Sequence, residues 1–316
     1  MVTLKNMLSV ILLSTLIISC NTNSATDKTS SDTETSSQST LSNHTVISDG
    51  HPMNVWEKKS QNSKGAILFI HGRTWSSLPN FDLQVEGENL SLMDAMVAQG
   101  YSTYALDLRG YGATPRDSTG WLSPNKAASD ILNVINWIST RNSSKVHLFG
   151  YSMGSTSSLL ATQKNSRDIA SLTVFGYWQD LDFKIPQSPD DIKLLKRKNT
   201  AENAASDFIT PGSISQNAID SYVRMALEND PIKVDWRNVD QFNKIDPSQI
   251  STPVLILQGA LDPIAPSERQ NKLFTRLKSN DKSWVVISGG DHAAFLEAPR
   301  EHFIQSFAAF IDSFNN

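Results

Sequence analysis

The chain has 316 residues with a formal charge of -4 and a pI near 5.9. It has no basic block, so electrostatics gives no support for a nucleic-acid partner. A single cysteine, Cys20, excludes an internal disulfide. No H-E-x-x-H run, cysteine cluster or grouped histidine set is present, so neither a metal nor any other cofactor is expected.

The first charged side chain is Lys5, and a mostly apolar stretch from Met7 to Ile18 leads into Ser19-Cys20. A short positive region before a compact apolar run reads as an export signal, too short to span a bilayer comfortably. Leu16-Ile17-Ile18-Ser19-Cys20 resembles the lipobox of bacterial lipoproteins, where cleavage before the cysteine leaves it as a lipidated N-terminus. That resemblance implies a signal peptide over residues 1–19, a lipid anchor on Cys20, and an exported protein held at the bacterial cell envelope. An ordinary secretion signal with an incidental cysteine is the competing reading.

Residues 20–48 read as a flexible tether, because Ser and Thr dominate from Asn21 to Thr45. Only Ala25 and Leu41 interrupt that polarity, so no N-terminal strand is expected. The body, residues 49–316, is long enough for one large domain.

Within the body, strand and helix signals alternate as in a mostly parallel sheet covered by helices. Ala66–Ile70 is a short apolar strand that ends at His71-Gly72. Leu90–Gln99 reads as a helix stopped by Gly100, and Tyr101–Leu106 as the next strand, opening into the turn-rich Asp107-Leu108-Arg109-Gly110-Tyr111-Gly112. Lys126–Ser139 has helical spacing, with Ile131, Val134, Ile135 and Ile138 on one side. Lys145–Phe149 is a strand, and a helix follows from Ser152. Ile169–Phe175, Pro253–Gln258 and Trp284–Ile287 are further strands, and Arg300–Phe314 is a last helix with Phe303, Phe307 and Phe310 facing the core. Residues 178–248 break the alternation with scattered apolar side chains in a largely polar run. A helical lid over the mouth of the sheet explains them better than an unstructured loop of that length.

Gly150-Tyr151-Ser152-Met153-Gly154 is a G-x-S-x-G elbow, in which the serine sits on a strained strand-to-helix turn with its hydroxyl exposed. A serine hydroxyl needs a base within hydrogen-bond reach, and that base needs a third group to hold its tautomer. Of six histidines, His44 and His51 precede the core and are expected to face solvent. His147 lies inside a strand, and His302 on the last helix reads as a surface or capping group. His71 reads as a structural part of an oxyanion loop, which leaves His292 as the base. Asp262, in a loop after a buried strand and before Pro263, is the expected acid, with Asp180 or Asp182 as rival placements. Asp291 adjoins the histidine and is awkwardly placed to orient it. The backbone N–H groups of Met153 and Arg73 are the expected oxyanion donors. Trp75, Tyr151, Trp178 and Leu261 are candidate pocket residues, with ordinary packing as the alternative for Trp75 and Tyr151.

With these motifs the body resembles the alpha/beta-hydrolase family over roughly His51–Phe314, in its lid-bearing serine-hydrolase branch. His71-Gly72 after one buried strand and the D-x-R-G-x-G segment at Asp107–Gly112 after the next carry the likeness beyond the elbow. So do Asp262 and His292 at the ends of late strands, in the order Ser–Asp–His. The resemblance implies an α/β fold with an eight-stranded sheet, a lid between its sixth and seventh strands, and hydrolysis of an ester or amide through an acyl-enzyme. A serine at position 152 argues against the branches with an aspartate nucleophile, and His71-Gly72-Arg73-Thr74 lacks the H-G-G-G run of one esterase branch. The surroundings of Ser152 also depart from the G-x-S-W-G pattern of proline-iminopeptidase-like enzymes. A small to medium carboxylic ester is the expected substrate, with peptidase or amidase action next and a non-catalytic binding lipoprotein as the alternative of another class. Neither the membrane leaflet nor the oligomeric state is encoded in any motif.

Overall fold

The computed structural model describes residues 40–315, so the signal peptide, Cys20 and most of the tether lie outside the described residues. Strands β1 (Leu41–Ser48), β2 (His51–Lys58) and β3 (Ala66–Ile70) come first, followed by helices α1 (Ser77–Phe81) and α2 (Leu92–Ala98). Then come β4 (Ser102–Asp107), β5 (Trp121–Leu122), α3 (Pro124–Asn142), β6 (Val146–Tyr151), α4 (Met153–Lys164) and β7 (Ile169–Phe175). After these lie α5 (Ala201–Ala205), α6 (Gln216–Asn229) and β8 (Asp235–Trp236). The chain closes with β9 (Val254–Gly259), α7 (Ser267–Arg276), β10 (Lys282–Ile287) and α8 (Arg300–Asp312).

Eight strands form one sheet in the order β1-β2-β4-β3-β6-β7-β9-β10. The β1–β2 and β2–β4 pairs are antiparallel and every later pair is parallel. Strands β3, β4, β6 and β9 are buried along their whole length. Parallel strands covered by helices on both faces need such continuous apolar runs, which is why the sequence shows them plainly. Alternation along β3 sends Leu68 and Ile70 into one apolar cluster, with Ile131, Val134 and Leu160 of the helices. Ile67 and Phe69 enter the opposite cluster, with Phe81, Met93, Phe303 and Phe307. Phe310 packs on the edge of that second cluster.

Helix boundaries follow local chemistry. The Ser91 side chain accepts the Asp94 N–H at the start of α2, and Ser123 accepts the Lys126 N–H at the start of α3, where Pro124 fills a position that needs no donor.

The first strand departs from expectation. Leu41–Ser48, assigned from its polarity to the tether, is paired over its whole length with β2, from Leu41 opposite Lys58 to Ser48 opposite His51. It is an edge strand that buries little beyond Val46 and Ser48, so it lacks the apolar pattern of the central strands. The turn joining it to β2 is Asp49-Gly50, both residues at positive φ (48° and 75°), the Asp-Gly signature of a tight hairpin. His44 does not simply face solvent either. Its Nε2 lies 2.6 Å from Glu57 Oε2, and its ring packs on Trp137.

Between β7 and β9, residues 176–253 form an insertion with two helices, α5 and α6, and two 3-10 turns, Val239–Lys244 and Pro247–Gln249. Its β8 pairs with β5 in a separate two-stranded sheet. Most of the insertion is irregular chain rather than helix.

Candidate active site

Ser152 stands between the end of β6 and the first residue of α4, with φ 52° and ψ -119°. For a side chain with a Cβ this is a strained backbone, held here by surrounding structure. The Ser152 N–H donates to Phe175 O at 2.8 Å, tying the turn to the end of the neighbouring strand. Gly154 packs against the Ile70 and His71 carbonyl oxygens, where a Cβ has no space. Gly72 likewise lies against Ser152, since a Cβ there would fall 2.8 Å from the serine Cβ. The small residues therefore press the first turn of α4 and the loop after β3 together around the hydroxyl.

His292 follows β10 and Asp262 follows β9, two neighbouring strands whose ends lie side by side. His292 Nε2 is 3.0 Å from Ser152 Oγ, and His292 Nδ1 is 2.7 Å from Asp262 Oδ2. The other oxygen of Asp262 accepts the N–H groups of Ile264 (2.8 Å) and Ala265 (3.1 Å), so this buried carboxylate is fully engaged. With Asp262 as acceptor, Nδ1 carries the imidazole proton and Nε2 is left to receive the serine O–H. The ring rests beside Tyr151, 5.1 Å between centroids.

The rival acids have other partners. Asp180 pairs with Lys272, and Asp182 with Lys272 and Arg276, near the surface. Asp291 accepts the backbone N–H groups of Thr210 (2.6 Å) and Ala293 (3.0 Å).

His71 is fully buried. Its Nδ1–H donates to Gly72 O at 2.8 Å, and its Nε2 accepts the Leu108 N–H at 3.1 Å. Burial lowers its pKa to about 4, which keeps the ring neutral and makes it a brace between the loops after β3 and β4. The N–H of Arg73, in the first of these loops, has no protein acceptor among the described residues. The N–H of Met153 opens α4 and so has no intrahelical acceptor. In the Asp107–Gly112 segment, Asp107 accepts bonds from Trp56 Nε1, Ser77 N and Ala113 N. Arg109 grips Asp130 through two bonds of 2.7 Å. Both side chains hold the fold and neither contacts the serine.

Trp75 is buried in the apolar core, and Tyr151 is packed among Phe175, His292 and Phe295. Trp178 packs on Phe242, while Leu261 is 52% exposed beside Asp262. Among the described residues, no group of three or more His, Cys, Asp or Glu side chains is placed to hold a metal ion.

Sequence reasoning missed several neighbours. Asp207, from the insertion, accepts the Tyr222 O–H at 3.0 Å, and burial pushes its pKa up to about 6. Glu297 accepts the Asp291 N–H (2.8 Å) and the Ser213 O–H (2.9 Å), and burial raises its pKa to about 7. Through Thr210–Asp291 and Ser213–Glu297, the insertion is fastened to the loop that carries His292. Nothing in the spacing of these residues marks them, because the partners from the insertion lie more than eighty positions from the His292 loop.

A doubly covered, mostly parallel eight-stranded sheet with serine, aspartate and histidine meeting at the strand ends defines an alpha/beta-hydrolase, and the chain is a serine hydrolase. More narrowly, it belongs to the family described as serine aminopeptidase, S33, whose profile matches residues 61–299. Comparison with curated protein sequences gives no match. Among solved structures it is similar to a serine hydrolase involved in carbazole degradation, CarC (18% identity, TM-score 0.63), over 86% of this chain and 99% of that one. It is also similar to a bacterial membrane phospholipase A (18%, TM-score 0.60; 87% of each chain). A third similar structure is a thermophilic esterase from Thermogutta terrifontis (17%, TM-score 0.60; 87% and 100%). At these identities the likeness is one of fold.

Proposed function

We propose that the protein hydrolyses a carboxylic ester of small to medium size through an acyl-Ser152 intermediate. The observation that carries this reading is the unbroken chain from Ser152 Oγ to His292 Nε2 (3.0 Å) and from His292 Nδ1 to Asp262 (2.7 Å). As Ser152 attacks the carbonyl carbon, its proton passes to His292, and Asp262 stabilises the imidazolium that forms. The carbonyl oxygen, now negative, is taken up by the N–H groups of Met153 and Arg73, the first of them at the positive end of α4. His292 then gives its proton to the departing alcohol. In the second half, a water loses its proton to His292 as it adds to the acyl carbon, and His292 returns that proton to Ser152 Oγ as the C–Oγ bond breaks and the acid leaves.

The insertion acts as a lid in this proposal, supported by its bonds to the His292 loop at Asp291 and Glu297. The protein also works outside the cytoplasm, tethered through lipid on Cys20; the mass of the mature N-terminus tests this directly. For the reaction, kcat/KM across matched esters and aminoacyl amides is the decisive comparison. Esters are expected to exceed the corresponding amides, and the reverse order would assign the site to peptide or amide cleavage.

A further inference from the structure

Beside the oxyanion loop lies a cavity of about 230 Å³, lined by Arg73, Thr74, Leu195, Arg197, Lys233, Val234 and Asp235. Three of these side chains are cationic, in a chain whose formal charge is -4. None of the three has a carboxylate or other side-chain partner in hydrogen-bond or ion-pair contact among the described residues. The lone acid of the lining is already engaged: Asp235 accepts the N–H groups of Leu195 (3.3 Å) and Lys196 (3.1 Å).

Two of the cations, Arg197 and Lys233, are brought together by backbone pairing. Lys198 and Ile232 form an antiparallel bridge, and the Lys233 N–H donates to Arg197 O at 2.8 Å. Arg197 and Lys233 therefore face each other across the pair, where like charges repel. Arg116 secures the same segment by donating to the carbonyls of Ile232 and Lys233. Burial and the nearby Arg73 and Arg197 guanidinium groups push the Lys233 pKa down, while Asp207 opposes them more weakly. Such crowding is unfavourable in the empty protein and is relieved by an anion. Two guanidinium groups and an ammonium suit a carboxylate or phosphate, the former two by paired N–H donation.

We infer that this cavity is a subsite for an anionic group carried by the substrate, so that the preferred ester bears a carboxylate or phosphate away from its scissile carbonyl. Arg73 joins the two places: it directly follows Gly72, which packs on Ser152, and its side chain lines the cavity. The inference rests on the hydrolase reading above for what is cleaved, and on the cavity alone for what is bound.

The test has a kinetic arm and a binding arm. In the first, nitrophenyl esters with a neutral acyl chain are compared with nitrophenyl half-esters of dicarboxylic acids and with an analogue ending in phosphate. The wild type is expected to favour a charged member by tenfold or more in kcat/KM, and the better of the two identifies the anion. Arg197→Ala and Lys233→Ala should each raise KM for that ester about tenfold with little change in kcat or in the neutral ester, and Lys233→Arg should restore it. In the second arm, glutarate and inorganic phosphate are titrated into the inactive Ser152→Ala protein by calorimetry. Binding that Lys233→Ala weakens supports the subsite even if no ester is turned over, in which case only the hydrolase reading falls. Equal use of neutral and charged esters by the wild type, or no anion binding that depends on Arg197 and Lys233, overturns the inference.

Discussion

At the scale of single residues, the site depends on places where a Cβ is forbidden as much as on the reacting groups. Gly176, just beyond β7, has φ 64°, and a Cβ there would stand 2.7 Å from His292 Cε1. Gly176→Ala should therefore cost about 1–2 kcal/mol of backbone strain and also displace the imidazole from Ser152. The expected outcome is a fall in kcat of tenfold or more in a protein that still folds, checked by steady-state kinetics beside a thermal melt. Unchanged kcat would show that the ring does not need its present position. The reacting residues were the most legible part of the chain, because the strained elbow requires G-x-S-x-G and the acid and base must follow apolar strands. Gly176 was not legible, since its demand arises from a ring more than a hundred positions later in the sequence.

At the scale of elements, the central strands were readable and the margins were not. Burial on both faces forces β3, β4, β6 and β9 to be continuously apolar, whereas β1 buries one edge and keeps a polar sequence. Only Asp49-Gly50 signalled its hairpin. The insertion was located by the lack of strand signals, but its fastening to the His292 loop by Asp291 and Glu297 lies in side-chain contacts that no local pattern shows. That fastening has a pH signature. Burial raises the Glu297 pKa to about 7 from an ordinary 4.5, so its favourable contribution is complete below 4.5 and is lost as pH rises through 7. Glu297→Gln keeps both contacts, with the amide oxygen accepting the Asp291 N–H and the amide N–H donating to Ser213 Oγ, but cannot ionise. The melting temperature of the variant should approach that of the wild type near pH 4.5 and exceed it at pH 8. A difference that does not vary with pH would contradict the assignment.

At the scale of the whole molecule, several buried acids act in the same direction. Burial raises Asp207 and Asp230 to about 6 and Glu297 to about 7, so each binds a proton more readily in the folded than in the unfolded state. Each loses its favourable contribution as pH rises through its folded pKa. His71 acts oppositely: its folded pKa of about 4 lies below the ordinary 6.5, so its contribution is lost as pH falls from 6.5 toward 4. Burial lowers His147 as well and raises Asp82 and Asp107, so five acids outweigh two histidines. Acids held below their usual range, such as Asp180 by the Asp182 N–H and Lys272, lose their contribution only in the last acidification. Thermal stability should accordingly rise from pH 8 to a maximum near about pH 5 and decline below pH 4. A maximum at or above pH 7 in melts across that range would contradict this balance.

The central claim is that Ser152 is a nucleophile made reactive by His292 and Asp262. Labelling with a fluorophosphonate, followed by mass spectrometry of the intact and digested protein, tests it most directly. The wild type is predicted to gain one adduct, on the peptide holding Ser152, while Ser152→Ala gains none and His292→Ala reacts at least a hundredfold more slowly. A folded wild type that takes no adduct, or a Ser152→Ala protein that labels as fast as the wild type, would contradict it.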